Sequence, residues 1–415
     1  MKSRDRLLGS IGLASLAIYV LACRPAFSPD GSKILVTASG GTNKQGHLLV
    51  YDRKAVKWSP LLTVAQSPGG NGAPILTALW SADGKEVIAA WASDDRRVMV
   101  SVLPVGEVGP TRLFQVDDVG ETLPALVVPP VLAARPGSPT PFLLFGGESI
   151  TALNLKSGET HQQKLTGNDA TNAPKKAIHL VGQGNEVLYL MGGDKTLEAG
   201  RLDLESLRPS PLLQLQTNKD DSNPFLAVSK TSSRLALTRG DADNQSLLIY
   251  RQFRLERTLP FGATNNGIVL GNLVWSLDAM TLYAAGFRPL KPGPIAKAVH
   301  AGYQAVRAAG FKPTEPVTLD LQVLVCEIPL DGKPLRETPL FRIASTDETF
   351  LLLYQIALSP DGKTIAASAG LSADDVGTRE RDRALYLLDL SRASRPVSKI
   401  RIPRSTVVPA GLSPK

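Results

Sequence analysis

The sequence predicts an all-β fold built from seven four-stranded repeats, and three observations support this prediction. A hairpin pattern, in which a Ser-x-Asp turn separates two apolar runs, recurs along the chain. The copies of this hairpin are nearly evenly spaced. The composition, with Gly 36 and Pro 31 against Met 4 and Trp 4, indicates many turns and few long helices.

The clearest hairpin spans residues 357–368, where Ser359-Pro-Asp-Gly362 connects two runs rich in Ile, Leu and Ala. Proline fixes φ at the first turn position, aspartate can bond its own backbone, and glycine accepts positive φ. Similar turns lie at residues 27–31, 80–84 and 275–278, each followed by an apolar run. A hairpin that is repeated in this way indicates a modular fold.

Turn markers for seven repeats can be placed along the chain. They are Asp30, Asp83, Pro139, Gly184, Ser232, Asp278 and Asp361. The intervals are roughly 45 to 56 residues, once an insertion at about 288–317 is set aside. A four-stranded unit cannot bury both faces alone, whereas units arranged in a ring bury each other. The sequence therefore predicts an all-β, seven-bladed β-propeller, with six or eight blades as the alternative.

Within each predicted blade, an a–b turn follows the first strand and a polar b–c loop follows the second. The second strands are expected near residues 33–37, 87–91, 141–145, 187–191, 235–238, 281–286 and 363–368. The third strands are expected near residues 47–51, 98–103, 149–155, 199–204, 247–253, 319–328 and 384–390. Blades 1 and 7 each have enough sequence for four strands of their own, so the prediction includes no strand exchange at ring closure.

The amino terminus has the pattern of a secretory signal. Lys2, Arg4 and Arg6 precede an uncharged apolar run at residues 7–22. As a helix this run would span about 24 Å, which is shorter than the roughly 30 Å hydrocarbon core. Its end, Val20-Leu-Ala-Cys23, resembles the lipobox of bacterial lipoproteins. The resemblance implies a signal peptide at residues 1–22 and a lipidated Cys23, with an uncleaved signal anchor as the alternative.

The chain has two cysteines, Cys23 and Cys326. If Cys23 carries lipid, no disulfide can form within the chain. Cys326 lies in an apolar strand pattern and is expected to be a small buried hydrophobic side chain. The fold would then be held together by packing alone.

The hairpins at residues 28–31 and 359–362, together with the strand Leu385-Tyr-Leu-Leu-Asp389, resemble the WD40-like repeats of TolB-type β-propellers. That resemblance implies an extracytoplasmic propeller from a family that mostly binds other proteins. It covers the repeats only, since the chain has nothing similar to the separate amino-terminal domain of TolB. The predicted organisation is a propeller at 23–403, with a helical insertion at about 288–317 and a tail at 404–415.

Partner binding is predicted at the b–c loops, which are polar and irregular, and at the insertion. Residues 295–310 have apolar side chains at helical spacing, with polar side chains on another side. The helix either packs on the edge of blade 6 or acts as a docking element. The candidate partner-binding residues are Asn43, Lys44, Asp94, Asp95, Arg96, Arg97, Asp241, Asp243, Lys297, His300, Arg307, Arg379 and Arg381.

Motifs for catalysis are missing from the sequence. There is no Gly-x-Ser-x-Gly elbow, and no glycine-rich phosphate loop between a strand and a helix. The four histidines, at positions 47, 161, 179 and 300, have no i, i+4 pair. We therefore expect no catalytic residue, no metal and no cofactor. Paired carboxylates from different blades could still meet in a central channel.

The sequence thus predicts a non-catalytic protein-interaction scaffold, anchored through lipid on Cys23. The alternative is a small-ligand or carbohydrate binder, or an enzyme, that uses the central channel. The expected partner is another protein, whose identity the sequence does not give, and we expect a monomer that binds no nucleic acid. The location would be the bacterial cell envelope, on the periplasmic or extracellular side. Arg24 follows Cys23 where an Asp would favour inner-membrane retention, so the outer membrane is preferred.

Overall fold

A computed structural model describes most of the chain from residue 25 to residue 403. The described ranges are 25–39, 46–64, 75–92, 98–106, 110–116, 130–134, 141–147, 149–165, 176–183, 186–192, 196–216, 225–230, 233–240, 244–262, 264–290, 319–345, 355–369 and 384–403. These ranges contain 28 strands in seven four-stranded sheets, and no helix. Each sheet is called a blade below. The predicted number and size of the repeats are confirmed.

The described chain forms two compact units, one of which holds blades 7, 1 and 2. Blade 1 consists of β1 (Ala26–Phe27), β2 (Lys33–Ser39), β3 (Gly46–Asp52) and β4 (Lys57–Val64). Blade 2 consists of β5 (Ile75–Trp80), β6 (Glu86–Ala92), β7 (Val98–Pro104) and β8 (Arg112–Val116). Blade 7 consists of β25 (Gln355–Leu358), β26 (Thr364–Ala369), β27 (Ala384–Asp389) and β28 (Val397–Arg401).

The other unit holds blades 3 to 6. Blade 3 consists of β9 (Val131–Ala134), β10 (Pro141–Phe145), β11 (Ser149–Asn154) and β12 (Thr160–Lys164). Blade 4 consists of β13 (Lys176–Gln183), β14 (Glu186–Gly192), β15 (Thr196–Leu202) and β16 (Pro209–Gln216). Blade 5 consists of β17 (Leu226–Val228), β18 (Arg234–Arg239), β19 (Gln245–Arg251) and β20 (Arg254–Phe261). Blade 6 consists of β21 (Val269–Trp275), β22 (Thr281–Pro289), β23 (Leu319–Pro329) and β24 (Arg336–Ser345).

Every blade is a meander of four consecutive antiparallel strands. The second and third strands are apolar on both faces, whereas the fourth strands are largely exposed. Apolar cores therefore lie between adjacent blades. One core joins Leu35 and Val50 of blade 1 to Ala78 and Val87 of blade 2, and similar cores join blades 3 to 6 in sequence.

Blades 1 and 7 pack together without exchanging a strand. Ile34 and Tyr51 of blade 1 share a core with Leu385. The indole nitrogen of Trp58 donates to the carbonyl oxygen of Arg401 at 3.0 Å. The guanidinium of Arg53 donates to Thr364 Oγ1 at 3.0 Å and to the carbonyl of Gly31 in its own blade at 2.9 Å.

Five a–b turns share one construction, which begins with Ser28, Ser81, Ser229, Ser276 and Ser359. In each, the serine hydroxyl oxygen accepts a hydrogen bond of 2.9–3.0 Å from the backbone nitrogen five residues later. In four of them the same hydroxyl donates to the turn aspartate, as Ser28 does to Asp30 at 2.6 Å. The turn is therefore closed by its own side chains.

The predicted helical insertion lies mostly outside the described residues. Strand β22 extends through Arg288 and Pro289, which pair with Gln322 and Leu321 of β23. The first residues assigned to the insertion therefore belong to a strand, and residues 291–318 are not described. Cys326 is buried in β23, as predicted.

Candidate functional site

The two ends of the blades differ in how their connections are built. The a–b turns of blades 1, 2, 5, 6 and 7 are equally long, at 28–32, 81–85, 229–233, 276–280 and 359–363. The b–c connections vary, at 40–45, 93–97, 146–148, 193–195, 240–244, 290–318 and 370–383. The a–b connections of blades 3 and 4, at 135–140 and 184–185, depart from this length. The b–c connections are nevertheless more variable than the a–b turns, and they lie at the end of the strands where the sequence predicted partner binding.

Every predicted partner-binding residue lies in these b–c connections, outside the described residues. These residues are Asn43, Lys44, Asp94, Asp95, Arg96, Arg97, Asp241, Asp243, Lys297, His300, Arg307, Arg379 and Arg381. The predicted lipidation site Cys23, which precedes the first strand, also lies outside the described residues. Described strand ends show how the connections of blades 5 and 6 are held.

In blade 5, both ends of the b–c connection are tied to neighbouring blades. Arg239, at the end of β18, donates to the carbonyl oxygen of Gln216 in blade 4 at 2.7 Å. Gln245, at the start of β19, forms two hydrogen bonds with the backbone of Leu270 in blade 6. Its side-chain nitrogen donates at 3.0 Å and its side-chain oxygen accepts at 2.7 Å. Gln245 is buried, so these bonds satisfy an amide that would otherwise be costly to bury.

Gly240 begins the same connection with φ +94. A Cβ atom at this position would lie 2.2 Å from the carbonyl oxygen of Asn244, which is too close for any other residue type. Thr264 Oγ1 also donates to Asn244 Oδ1 at 2.7 Å. The connection that carries Asp241 and Asp243 therefore starts and ends at fixed points.

In blade 6, the strands that carry the long insertion are also cross-linked by polar side chains. Arg288 forms an ion pair with Glu337 of β24 at 2.5 Å. Gln322 donates from its side-chain nitrogen to the carbonyl of Phe341 at 2.8 Å. These contacts fix the two strand ends from which residues 291–318 depart.

The first strands of neighbouring blades contact one another within each unit. These strands, β1, β5, β9, β13, β17, β21 and β25, contain no Asp or Glu. Across the described ranges, no group of three or more His, Cys, Asp and Glu side chains is placed to hold a metal ion. The described first strands thus provide no carboxylate pair of the type that hydrolyses glycosides.

A buried polar network in blade 4 was not anticipated from the sequence. The hydroxyl of Tyr189 donates to Glu198 Oε1 at 2.8 Å, and Gln214 Nε2 donates to Glu198 Oε2 at 3.3 Å. Burial and the neighbouring Glu198 raise the pKa of Tyr189. Gly200 makes room for this network, since a Cβ there would lie 2.7 Å from the Tyr189 hydroxyl. Glu198 is therefore a structural carboxylate.

Solved structures of similar shape identify the fold. The β-propeller domain of Cps50 (Swd1) from Myceliophteria thermophila aligns with a TM-score of 0.51 at 9% identity, over 84% of this chain and 93% of that one. The chain has the β-propeller fold. A putative 6-phosphogluconolactonase from Bacteroides uniformis aligns with a TM-score of 0.51 at 14% identity, over 88% and 94% of the two chains. At sequence identities this low, the two solved structures and this chain share the fold alone.

No protein-family model matches the sequence of this propeller, and no curated protein matches it. Within the described ranges, no helix has the length and apolar character needed to cross a membrane.

Proposed function

We propose that this β-propeller is a protein-interaction scaffold that presents its b–c connections to a partner and does not catalyse a reaction. The main supporting observation is the contrast between the a–b turns and the b–c connections. Five a–b turns have one length and one serine-based construction, whereas the b–c connections range from residues 193–195 to residues 290–318. Variable loops on a rigid scaffold are the usual arrangement for recognition.

The rigidity of the scaffold supports this proposal. Arg239 and Gln245 tie one connection to both neighbouring blades, and Arg288 braces the strand that leads into the longest one. Loops whose ends are fixed lose less conformational freedom on binding, and this improves affinity. The candidate residues Asp94, Arg97 and Arg379 would supply charged contacts.

The non-catalytic part of the proposal is supported by the first strands. In a propeller the blades surround a central channel, and here the first strands contribute no carboxylate. An enzyme that hydrolyses glycosides in this channel would need paired carboxylates at this position. The first strands do carry other polar side chains, among them Thr77, Asn272 and Gln355, so a channel that binds a sugar through hydrogen bonds stays the alternative function.

We also propose that the propeller is extracytoplasmic and anchored through lipid on Cys23. The support is the leader at residues 1–22, the lipobox resemblance and the TolB-type form of the repeats at 28–31 and 359–362. Replacing Cys23 by Ala should release the protein from membranes and abolish the mass increase of lipidation. Unchanged membrane retention with no difference in mass would refute the anchor.

The scaffold is tested by shortening the longest connection. Residues 291–319 are replaced by Asn-Gly, because the register of β22 and β23 places Leu290 opposite Asp320 and a two-residue turn fits between them. We expect crosslinking in native membranes to recover one stoichiometric partner with the wild-type chain and to lose it with the shortened chain. The thermal unfolding curve should stay nearly unchanged. Retention of the partner by both chains would exclude the insertion as the docking element.

A further inference from the structure

Four arginines lie on one face of blade 5, at the end opposite the b–c connections. Arg234, Arg251 and Arg254 are directly opposite one another on β18, β19 and β20, because Arg234 pairs with Arg251 and Arg251 pairs with Arg254. Arg257 lies on the same face, opposite Ile249. We call these four residues the arginine row.

The arginine row places like charges next to each other. Residues that pair across antiparallel strands have Cβ atoms about 5 Å apart, and like charges at that distance repel. Arg251 and Arg254 are exposed, and neither they nor Arg257 have an ion-pair or hydrogen-bond partner for their side chains among the described residues. This surface therefore carries an electrostatic cost that an anion would relieve.

Arg234 is held differently from the other three. Its guanidinium donates to the carbonyl of Ala279 in blade 6 at 2.6 Å and forms an ion pair with Glu256 at 3.3 Å. Asp278, the other acidic side chain near Arg234, accepts hydrogen bonds from Ser276 Oγ and the backbone of Met280. Arg234 thus anchors one end of the row, and positive charge remains in excess.

Exposed apolar side chains adjoin the row. Leu277 and Met280 belong to the a–b turn of blade 6 and are 37% and 41% exposed. Met280 contacts Arg234 directly, with 3.2 Å between the sulfur and Nη1. A bare phosphate or a nucleic acid backbone would make no use of these side chains. A ligand that carries acidic residues and, farther along the same face, apolar residues would use both features of the surface.

We propose that the arginine row, together with Leu277 and Met280, is a docking surface for an acidic, leucine-containing segment of a protein partner. In an extended segment, every second side chain points to the same face, at intervals of about 6.6–6.8 Å. Carboxylates at successive positions of that face can each bind a different arginine of the row, and leucines farther along the same face can contact Leu277 and Met280. The forked guanidinium groups match carboxylates in two-bond geometry. The proposal does not depend on the b–c connections, so either surface can fail while the other holds.

The test uses the full chain and a fluorescein-labelled peptide of about ten residues, the length of a long strand. Its first three odd-numbered positions are Glu, its last two odd-numbered positions are Leu and its even-numbered positions are Ser, so that Glu and Leu lie on one face. Fluorescence anisotropy should show binding to the wild-type chain that weakens as salt rises. We expect the double variant Arg251→Glu/Arg254→Glu to bind at least about tenfold more weakly. The control Arg208→Glu/Arg401→Glu, which changes the net charge equally on blades 4 and 7, should bind like wild type.

Three results would overturn the proposal. One is the absence of peptide binding to the wild-type chain, and another is an equal loss in the control variant. The third is a loss of phosphatidylglycerol-vesicle binding in Arg251→Glu/Arg254→Glu with peptide binding unchanged, which would assign the row to a lipid surface. The neutral variant Arg251→Gln/Arg254→Gln is a control for misfolding of the charge-reversal variant. It removes like-charge repulsion, so its thermal unfolding temperature should not fall below that of wild type, while its peptide affinity should still decrease.

Discussion

The indole nitrogen of Trp80 donates a hydrogen bond of 2.9 Å to the carbonyl oxygen of Ala26, in the first strand of the preceding blade. Trp275 makes the same contact with Ala227 at 3.2 Å. In both cases a tryptophan at the end of a first strand fills the space between two blades and also satisfies a backbone acceptor. The repeat is thus built around contacts between blades as well as turns within them.

This contact predicts the cost of replacing either tryptophan. Trp80→Phe and Trp275→Phe should each lower the free energy of unfolding by about 1–3 kcal/mol, since an acceptor that is partly or fully buried loses its donor. Trp58 makes a solvent-exposed bond to Arg401, so Trp58→Phe should cost less, about 1 kcal/mol. Thermal and denaturant unfolding of the three variants would check this order. Equal losses for all three would show that burial of the acceptor does not matter.

The a–b turns also contact the preceding blade, through glycine. Gly84 has φ +70, and a Cβ there would lie 3.2 Å from Pro29 Cδ. Gly267 has φ +72 and nothing within 4 Å of the same position. Gly267→Ala should therefore cost about 1–2 kcal/mol from backbone strain alone. Gly84→Ala should cost roughly 1 kcal/mol more because of the added contact.

Unfolding experiments on Gly84→Ala and Gly267→Ala separate these two effects. An identical loss in both variants would mean that the proline does not constrain the turn.

The turn aspartates predict a dependence of stability on acid. Hydrogen bonds from the hydroxyls of Ser28 and Ser32 lower the pKa of Asp30 to about 2. Because the folded pKa lies below the unfolded one, Asp30 stabilises the fold above about pH 4 and loses that contribution as the pH falls toward about 2. Asp30 is exposed, so solvent screening limits the effect to about 1 kcal/mol or less.

The variant Asp30→Asn checks this acid effect. It should show a smaller decrease in thermal stability between pH 4 and pH 2 than the wild-type chain. A decrease that is as steep in the variant would assign the effect to other groups.

Cys326 should be inert in the folded protein. Burial and the nearby Glu337 raise the pKa of its thiol, so little of the reactive thiolate is present. In a Cys23→Ala chain, a maleimide reagent should label no cysteine under native conditions and one cysteine in denaturant. Rapid labelling of the native chain would contradict the buried assignment.

The sequence predicted the strands that are buried on both faces of their sheet. Residues 141–145 were expected as a strand and form β10, and the predicted segment 319–328 forms β23 almost to the residue. The fourth strands β12 and β16 are mostly exposed, so they lack an apolar signal and were not predicted individually. The a–b turn of blade 5 has only part of the sequence pattern. Ser229 accepts the hydrogen bond from the backbone nitrogen of Arg234, but no Asp-Gly pair follows it.

Contacts between blades could not be derived from a single sequence. The bonds from Gln245 to Leu270 and from Arg53 to Thr364 join residues that are far apart along the chain. Which side chain reaches which backbone group depends on how the blades pack, and no local pattern specifies it. The same applies to the arginine row, whose members become neighbours only through the pairing of β18, β19 and β20.

The central proposal is that partners dock at the b–c connections. The most direct measurement places a photo-crosslinking amino acid at Asp94, Asp243 or Arg379, and, for comparison, at Lys85 or Lys363 in the a–b turns of blades 2 and 7. The proposal predicts one common crosslinked adduct from the b–c positions and none from the turn positions. Adducts from the turn positions alone, or from no position while the protein stays folded in its native cells, would contradict it.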